Sequence, residues 1–171
     1  GCGFGVVENP FEPNELIWYL NRDFTISQAA ERVIGNNIFG DFSLAFATCY
    51  IKNGFLTAPR KLLIIRAAVG GTGFSDKRWG LSDDLFLHMM EMTKTALELN
   101  PDNRLVAFLW HQGETDAIWN STFNDHYNNL SALIKTVRDT FNCNVLPFIA
   151  GDFVQEWKNA NITLCEPVVN A

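Results

Sequence analysis

The sequence predicts an α/β fold in three layers, an α/β/α sandwich with helices on both faces of a central parallel sheet. Three observations predict it. Residues 62–68, 105–110 and 145–150 are short, nearly continuous apolar runs, as expected of strands buried on both faces. Between them lie two longer segments whose apolar residues recur every three to four positions. The resulting order is βαβαβ, and such crossovers are right-handed and build parallel sheets.

The elements follow in order. The first 40 residues are irregular, broken by Pro10, Pro13 and several Gly and Asn residues. Within them 15–20 reads as a short strand, and 28–34 has helical character ending at Gly35. A helix begins near Ser43, a natural N-cap, and stops at Gly54. After the strand at 62–68 and the loop Gly70-Gly71-Thr72-Gly73, a helix is predicted over 83–99. Ser82 is its cap, and Leu85, Met89, Met92, Ala96 and Leu99 form its stripe. His88 falls beside that stripe and is read as packed or on the helix surface. The next helix, 123–141, carries Tyr127, Leu130, Ile134, Val137 and Phe141 on one face, with His126 read as solvent-exposed. Pro147 places the last strand near the sheet edge or stands at its start. After Asp152 the pattern fades.

Composition narrows the function classes. The 171 residues suit one domain, with 47% hydrophobic and 19% charged residues. A net charge of -6 and no Lys/Arg cluster offer nothing to phosphates, so no nucleic-acid partner is expected. No apolar run approaches the ~20 residues that cross a membrane. Cys2, Cys49, Cys143 and Cys165 form no Cys-x-x-Cys pair, and the three histidines have no ligand spacing, so neither a metal nor another cofactor is expected. Two disulfides or free buried thiols both remain open. The sequons Asn120-Ser-Thr, Asn129-Leu-Ser and Asn161-Ile-Thr matter only in a eukaryotic secretory route. No targeting segment is recognisable, and the localisation is left open, a secreted or extracytoplasmic setting being favoured. The chain starts without Met, so Gly1 reads as a processed, engineered or truncated end.

Ligands of open α/β sheets bind outside the carboxyl ends of the strands. There the chain places Gly70-Gly71-Thr72, then His111-Gln112-Gly113-Glu114-Thr115-Asp116, then Gly151-Asp152. The glycine loop is either a tight turn needing positive φ or a cradle for a phosphate or developing oxyanion. It has no Lys-Ser/Thr of a P-loop and lacks the dinucleotide fingerprint. In the second loop, the Gln112 amide suits an oxyanion and Glu114 can orient neighbours. The alternative is a polar turn in which Asp116 caps a helix.

The segment Phe108-Leu-Trp-His-Gln-Gly-Glu-Thr-Asp116 resembles the Trp-His-Gln-Gly-Glu-Ser-Asp block of the sialate O-acetylesterase-like branch of SGNH hydrolases. That branch includes the acetylxylan esterases of carbohydrate esterase family 6. Ala68-Val-Gly-Gly-Thr72 resembles its Gly-Gly-Ser/Thr loop, and the spacing between the blocks fits, as does Trp79. The resemblance covers residues 43–152 and implies a flavodoxin-like sandwich and a serine esterase acting on acetylated sugars such as sialic acid or xylan. It implies oxyanion donors at Gly71 (Gly70 its near alternative) and Gln112. It implies a bracing role for Glu114, and pocket-lining roles for Thr72 and His111.

The family's nucleophile lies in a Gly-Gln-Ser-Asn segment and its base in an Asp-x-x-His segment, and neither is present. The family's serine segment continues into glycines much like Gly1-Cys2-Gly3-Phe4, which predicts a single esterase domain, incomplete at both ends, beginning just after the serine. Ser43 fits an N-cap, and Ser75 has no evident histidine partner. The competing expectation is an inactive carbohydrate-binding domain on the same scaffold, with Trp79, Trp110, Trp119 and Trp157 as stacking faces.

Overall fold

A computed structural model describes residues 10–171. The Gly1–Phe4 segment, matched above to the family's glycines, lies outside the described residues. The described residues divide into two compact units, 10–69 with 92–101, and 70–91 with 102–171.

In the first unit, β1 (Ile17–Leu20) pairs antiparallel with β2 (Ile26–Gln28) and parallel with β5 (Leu62–Ile65). Ile17, Tyr19 and Leu20 are fully buried, which explains why β1 is apolar on both faces. The segment expected to be helical forms instead the hairpin of β3 (Arg32–Ile34) and β4 (Asn37–Phe39). The β-branched pair Val33-Ile34 favours extended backbone. Gly35, at φ +60, opens the two-residue turn rather than ending a helix. Helix α1 (Phe42–Lys52) is capped by Asp41, whose Oδ1 accepts from Ser43 N at 2.8 Å and Ser43 Oγ at 2.6 Å. Asp41, not Ser43, is therefore the N-cap. Its other oxygen accepts from Tyr19 Oη at 2.8 Å, tying the helix start to β1. Burial and this neighbouring carboxylate both push the Tyr19 phenol up.

Helix α2 (Asp84–Glu98) buries Leu85, Phe86, Met89, Met92 and Ala96, close to the predicted stripe. Leu99 falls just past its end and is exposed. In the second unit, β6 (Phe108–Trp110) and β7 (Phe148–Ala150) run parallel, with Phe108 stacked on Phe148 at 5.1 Å. Pro147 stands just before β7 and contributes only its carbonyl, which accepts from Phe108 N at 2.8 Å. Both strands are shorter than the apolar runs that predicted them.

Helix α3 (Glu114–Ile118) forms within the polar loop. Helix α4 (Phe123–Thr140) starts at Thr122, whose Oγ1 accepts from Asp125 N at 3.1 Å. It buries Val137 of the predicted stripe, together with His126 and Leu133, each one position before the predicted Tyr127 and Ile134. Tyr127 is half exposed and stacks on Phe123 instead. Beyond β7, α5 (Gln155–Ala160) and α6 (Ile162–Val169) continue the chain. Phe153, Cys165 and Val168 pack around Ala117 of α3. The described residues form three small sheets, and the fold is mixed α/β.

Candidate functional site

Gly70, Gly71, Thr72, His111, Gln112 and Glu114 all belong to the second unit, where the glycine loop and the Gln112 loop meet around one carboxylate. Asp116, in α3, is completely buried. Its Oδ1 accepts from Ser75 N at 2.7 Å. Its Oδ2 accepts from Gln112 Nε2 at 2.7 Å and Phe74 N at 3.3 Å. His126 Nδ1 lies 3.3 Å from the same Oδ2, an electrostatic contact without good hydrogen-bond alignment. Burial alone pushes the Asp116 carboxyl up. The contact with His126 and the hydrogen bonds from Ser75 and Gln112 outweigh it, bringing the pKa down to about 2. The carboxylate is thus charged, buried and paired.

Gly73 makes the convergence sterically feasible. A Cβ there would sit 2.7 Å from Asp116 Oδ1 and 2.8 Å from Gln112 Nε2. Its own N–H donates to Asp76 Oδ1 at 2.9 Å. The loop therefore needs glycine at 73 for close approach. Gly71 is different: it is exposed, at φ +71, with open space where a Cβ would stand. The positive φ of Gly71 fits the tight-turn reading. Gly70 beside it is also exposed.

Thr72 is buried and its Oγ1 accepts from Trp79 Nε1 at 2.9 Å. The Trp79 ring meets Trp110 edge-on at 5.5 Å, and Phe74 stacks on Trp110 at 5.7 Å while meeting His126 edge-on at 5.5 Å. Gln112 is half-buried, and its Oε1 has no hydrogen-bond partner among the described residues. Gly113, at φ +146, lets the chain turn against Phe153 and Val168, where a Cβ would come within 2.6 Å and 2.7 Å. Glu114 opens α3 and is half-buried. His111 is half-buried against Gly151, which has only 3.0 Å to spare for a Cβ beside the imidazole.

Several expectations change. Asp116 is no helix cap; it is the acceptor for the amides of Phe74 and Ser75, just after the glycine loop. His126 is buried, not exposed. It shares the spacing of Leu130, Leu133 and Val137, and that periodicity was the available signal. Trp79 and Trp110 are core residues and offer no stacking face; Trp157 packs on Phe153, and Trp119 alone of the four is exposed. Ser75 contributes its amide to Asp116. Cys49, Cys143 and Cys165 are free thiols. Among the described residues no helix is long and apolar enough to cross a membrane, and no cluster of three metal-ligating side chains occurs.

A protein-family profile described as carbohydrate esterase, sialic acid-specific acetylesterase, matches residues 4–169. The chain belongs to that family. It is 28% identical over 163 residues to a probable carbohydrate esterase of Arabidopsis thaliana, covering 89% of this chain and 61% of that protein. It is 27% identical over 89 residues to a probable 9-O-acetyl-N-acetylneuraminic acid deacetylase of Escherichia coli K12, covering 47% of this chain and 27% of that one. The chain therefore spans less than two thirds of either relative. Among solved structures, an Arabidopsis thaliana protein superposes with TM-score 0.65 at 29% identity, over 81% of this chain and 58% of that one. NanS superposes with TM-score 0.69 at 17% identity, over 92% and 64%, a likeness of fold.

Proposed function

We propose that this chain is the oxyanion-stabilising part of an SGNH-type serine esterase that removes acetyl groups from carbohydrates. In such a reaction a serine attacks the acetyl carbonyl with a histidine as base, and the carbonyl oxygen becomes an oxyanion. The whole enzyme supplies the serine and histidine. Gly71 N–H and the Gln112 amide stabilise the oxyanion, with Gly70 adjoining. Glu114 braces the Gln112 loop, and Thr72 and His111 line the pocket. The layered sandwich with one central parallel sheet is the fold of the complete domain on this reading, and a sialic acid or xylan acetyl ester is its substrate.

The observation that carries the reading is the hydrogen bond of Gln112 Nε2 to buried Asp116. An amide nitrogen has two N–H groups. One is held by a fixed carboxylate, so the other is preorganised to meet a developing negative charge, and a donor of that kind is worth about 3 kcal/mol in the transition state. Family membership supports the acetyl-ester class. The test is acetate release by the full gene product from 9-O-acetylated sialic acid and from acetylated xylan. Saturable release from either supports the reading. Sugar binding without release, and without labelling by a serine-reactive phosphonate, contradicts it.

A further inference from the structure

We propose that Asp116 is a positioning residue that sets both halves of the oxyanion hole at once, one through the Gln112 amide and the other through the loop that carries Gly71. The inference rests on the functional reading above and deepens it. Asp116 touches no substrate on this view; it acts through its two neighbours.

Two observations carry it. First, the orientation of the Gln112 amide is decided on its nitrogen side alone. Oε1 has no hydrogen-bond partner among the described residues, whereas Nε2 donates to Asp116 Oδ2 at 2.7 Å. Turning the amide over would set Oε1 against a carboxylate, oxygen to oxygen, which is repulsive. Second, the other carboxylate oxygen holds Ser75 N at 2.7 Å, and Oδ2 also takes Phe74 N at 3.3 Å. These amides follow Gly73, whose missing side chain brings the loop against Asp116. One carboxylate thus spaces the glycine loop from the Gln112 amide. His126 and the rings of Phe74 and Trp110 close around it, so it has little room to shift. A charged acceptor makes stronger hydrogen bonds than a neutral one, which suits a group that must hold three donors in place.

Asp116→Asn keeps the size but turns one acceptor oxygen into a donor. Toward Gln112 Nε2 it forces that amide to turn over, and toward Ser75 N it loses that hydrogen bond, so one half of the arrangement is broken either way. The test is steady-state acetate release by the full gene product, expressed per serine titrated with a phosphonate ester, so that only folded sites count. The expected result is a kcat per titrated site down by about 100-fold with KM changed less than about threefold, since the affected donors act in the transition state. In a Gln112→Ala background the same change should lower kcat by clearly less than about 100-fold, the part exerted through Gln112 being already lost and only the part exerted through the glycine loop remaining. A role confined to stability would lower the number of titratable sites and leave kcat per site intact, which overturns the proposal. If Gln112→Ala itself is without effect on kcat, the donor assignment fails rather than the positioning. A second measurement needs no variant: one side-chain N–H of Gln112 should be shifted downfield and protected from exchange in the NMR spectrum of the native protein. Two equivalent, rapidly exchanging protons would overturn the proposal as well.

Discussion

The hydrogen bond of 2.7 Å from Gln112 Nε2 to Asp116 Oδ2 ties residues four apart, one in the loop after β6 and the other in α3. The turn between them is possible because Gly113 adopts φ +146 against Phe153 and Val168. Gly113→Ala should therefore strain the backbone and push a methyl group into both side chains. The expected loss is about 2–4 kcal/mol of stability, read by urea unfolding.

Gly73 and Gly71 should respond differently to alanine. Gly73→Ala places a methyl against Asp116 and Gln112, so about 2–3 kcal/mol and most of the activity should go together. Gly71→Ala meets open space and carries only the cost of a positive φ, about 1 kcal/mol. Thermal unfolding of the two variants side by side checks the order.

Asp116 makes the folded state sensitive to acid. Its pKa is about 2 when folded, against an ordinary value of 3.8, so the unfolded chain binds the proton more tightly. The contribution, roughly 2 kcal/mol, is fully present above the ordinary value and is lost as pH falls from about 4 toward 2. Asp116→Asn should flatten the pH dependence of unfolding in that window, as measured by denaturant titration at several pH values.

Thr72→Val removes the acceptor of a buried indole N–H while keeping the shape of the side chain. Trp79 Nε1 then loses its 2.9 Å partner, at a cost of about 1–3 kcal/mol. By contrast Trp119→Ala, on an exposed ring, should change stability by less than about 0.5 kcal/mol. Equilibrium unfolding distinguishes the two.

The apolar runs and the two long amphipathic helices were legible because their signals are local. The strands carry contiguous apolar residues, and the helices repeat them every three to four positions. The hairpin of β3 and β4 was not, because Val33-Ile34 followed by Gly35 also fits a helix end, and only pairing with β4 decides between them. Helices α5 and α6 lack a visible stripe, and α6 contains Pro167, a residue type that ordinarily breaks helices. In the site, Gln112 and the glycine loop stood out by residue type. Asp116 and His126 did not, because their importance comes from burial together, 10 residues apart, which no short motif records. Tyr127, the more apolar neighbour, drew the predicted stripe one position away from His126.

The most direct test of the account is acetate release by Gln112→Ala in the full gene product, using an acetylated sugar that the unaltered protein hydrolyses. The account predicts a kcat lower by about 100- to 1,000-fold with a nearly unchanged thermal midpoint, the signature of one lost oxyanion donor. Undiminished acetate release from the variant would contradict it.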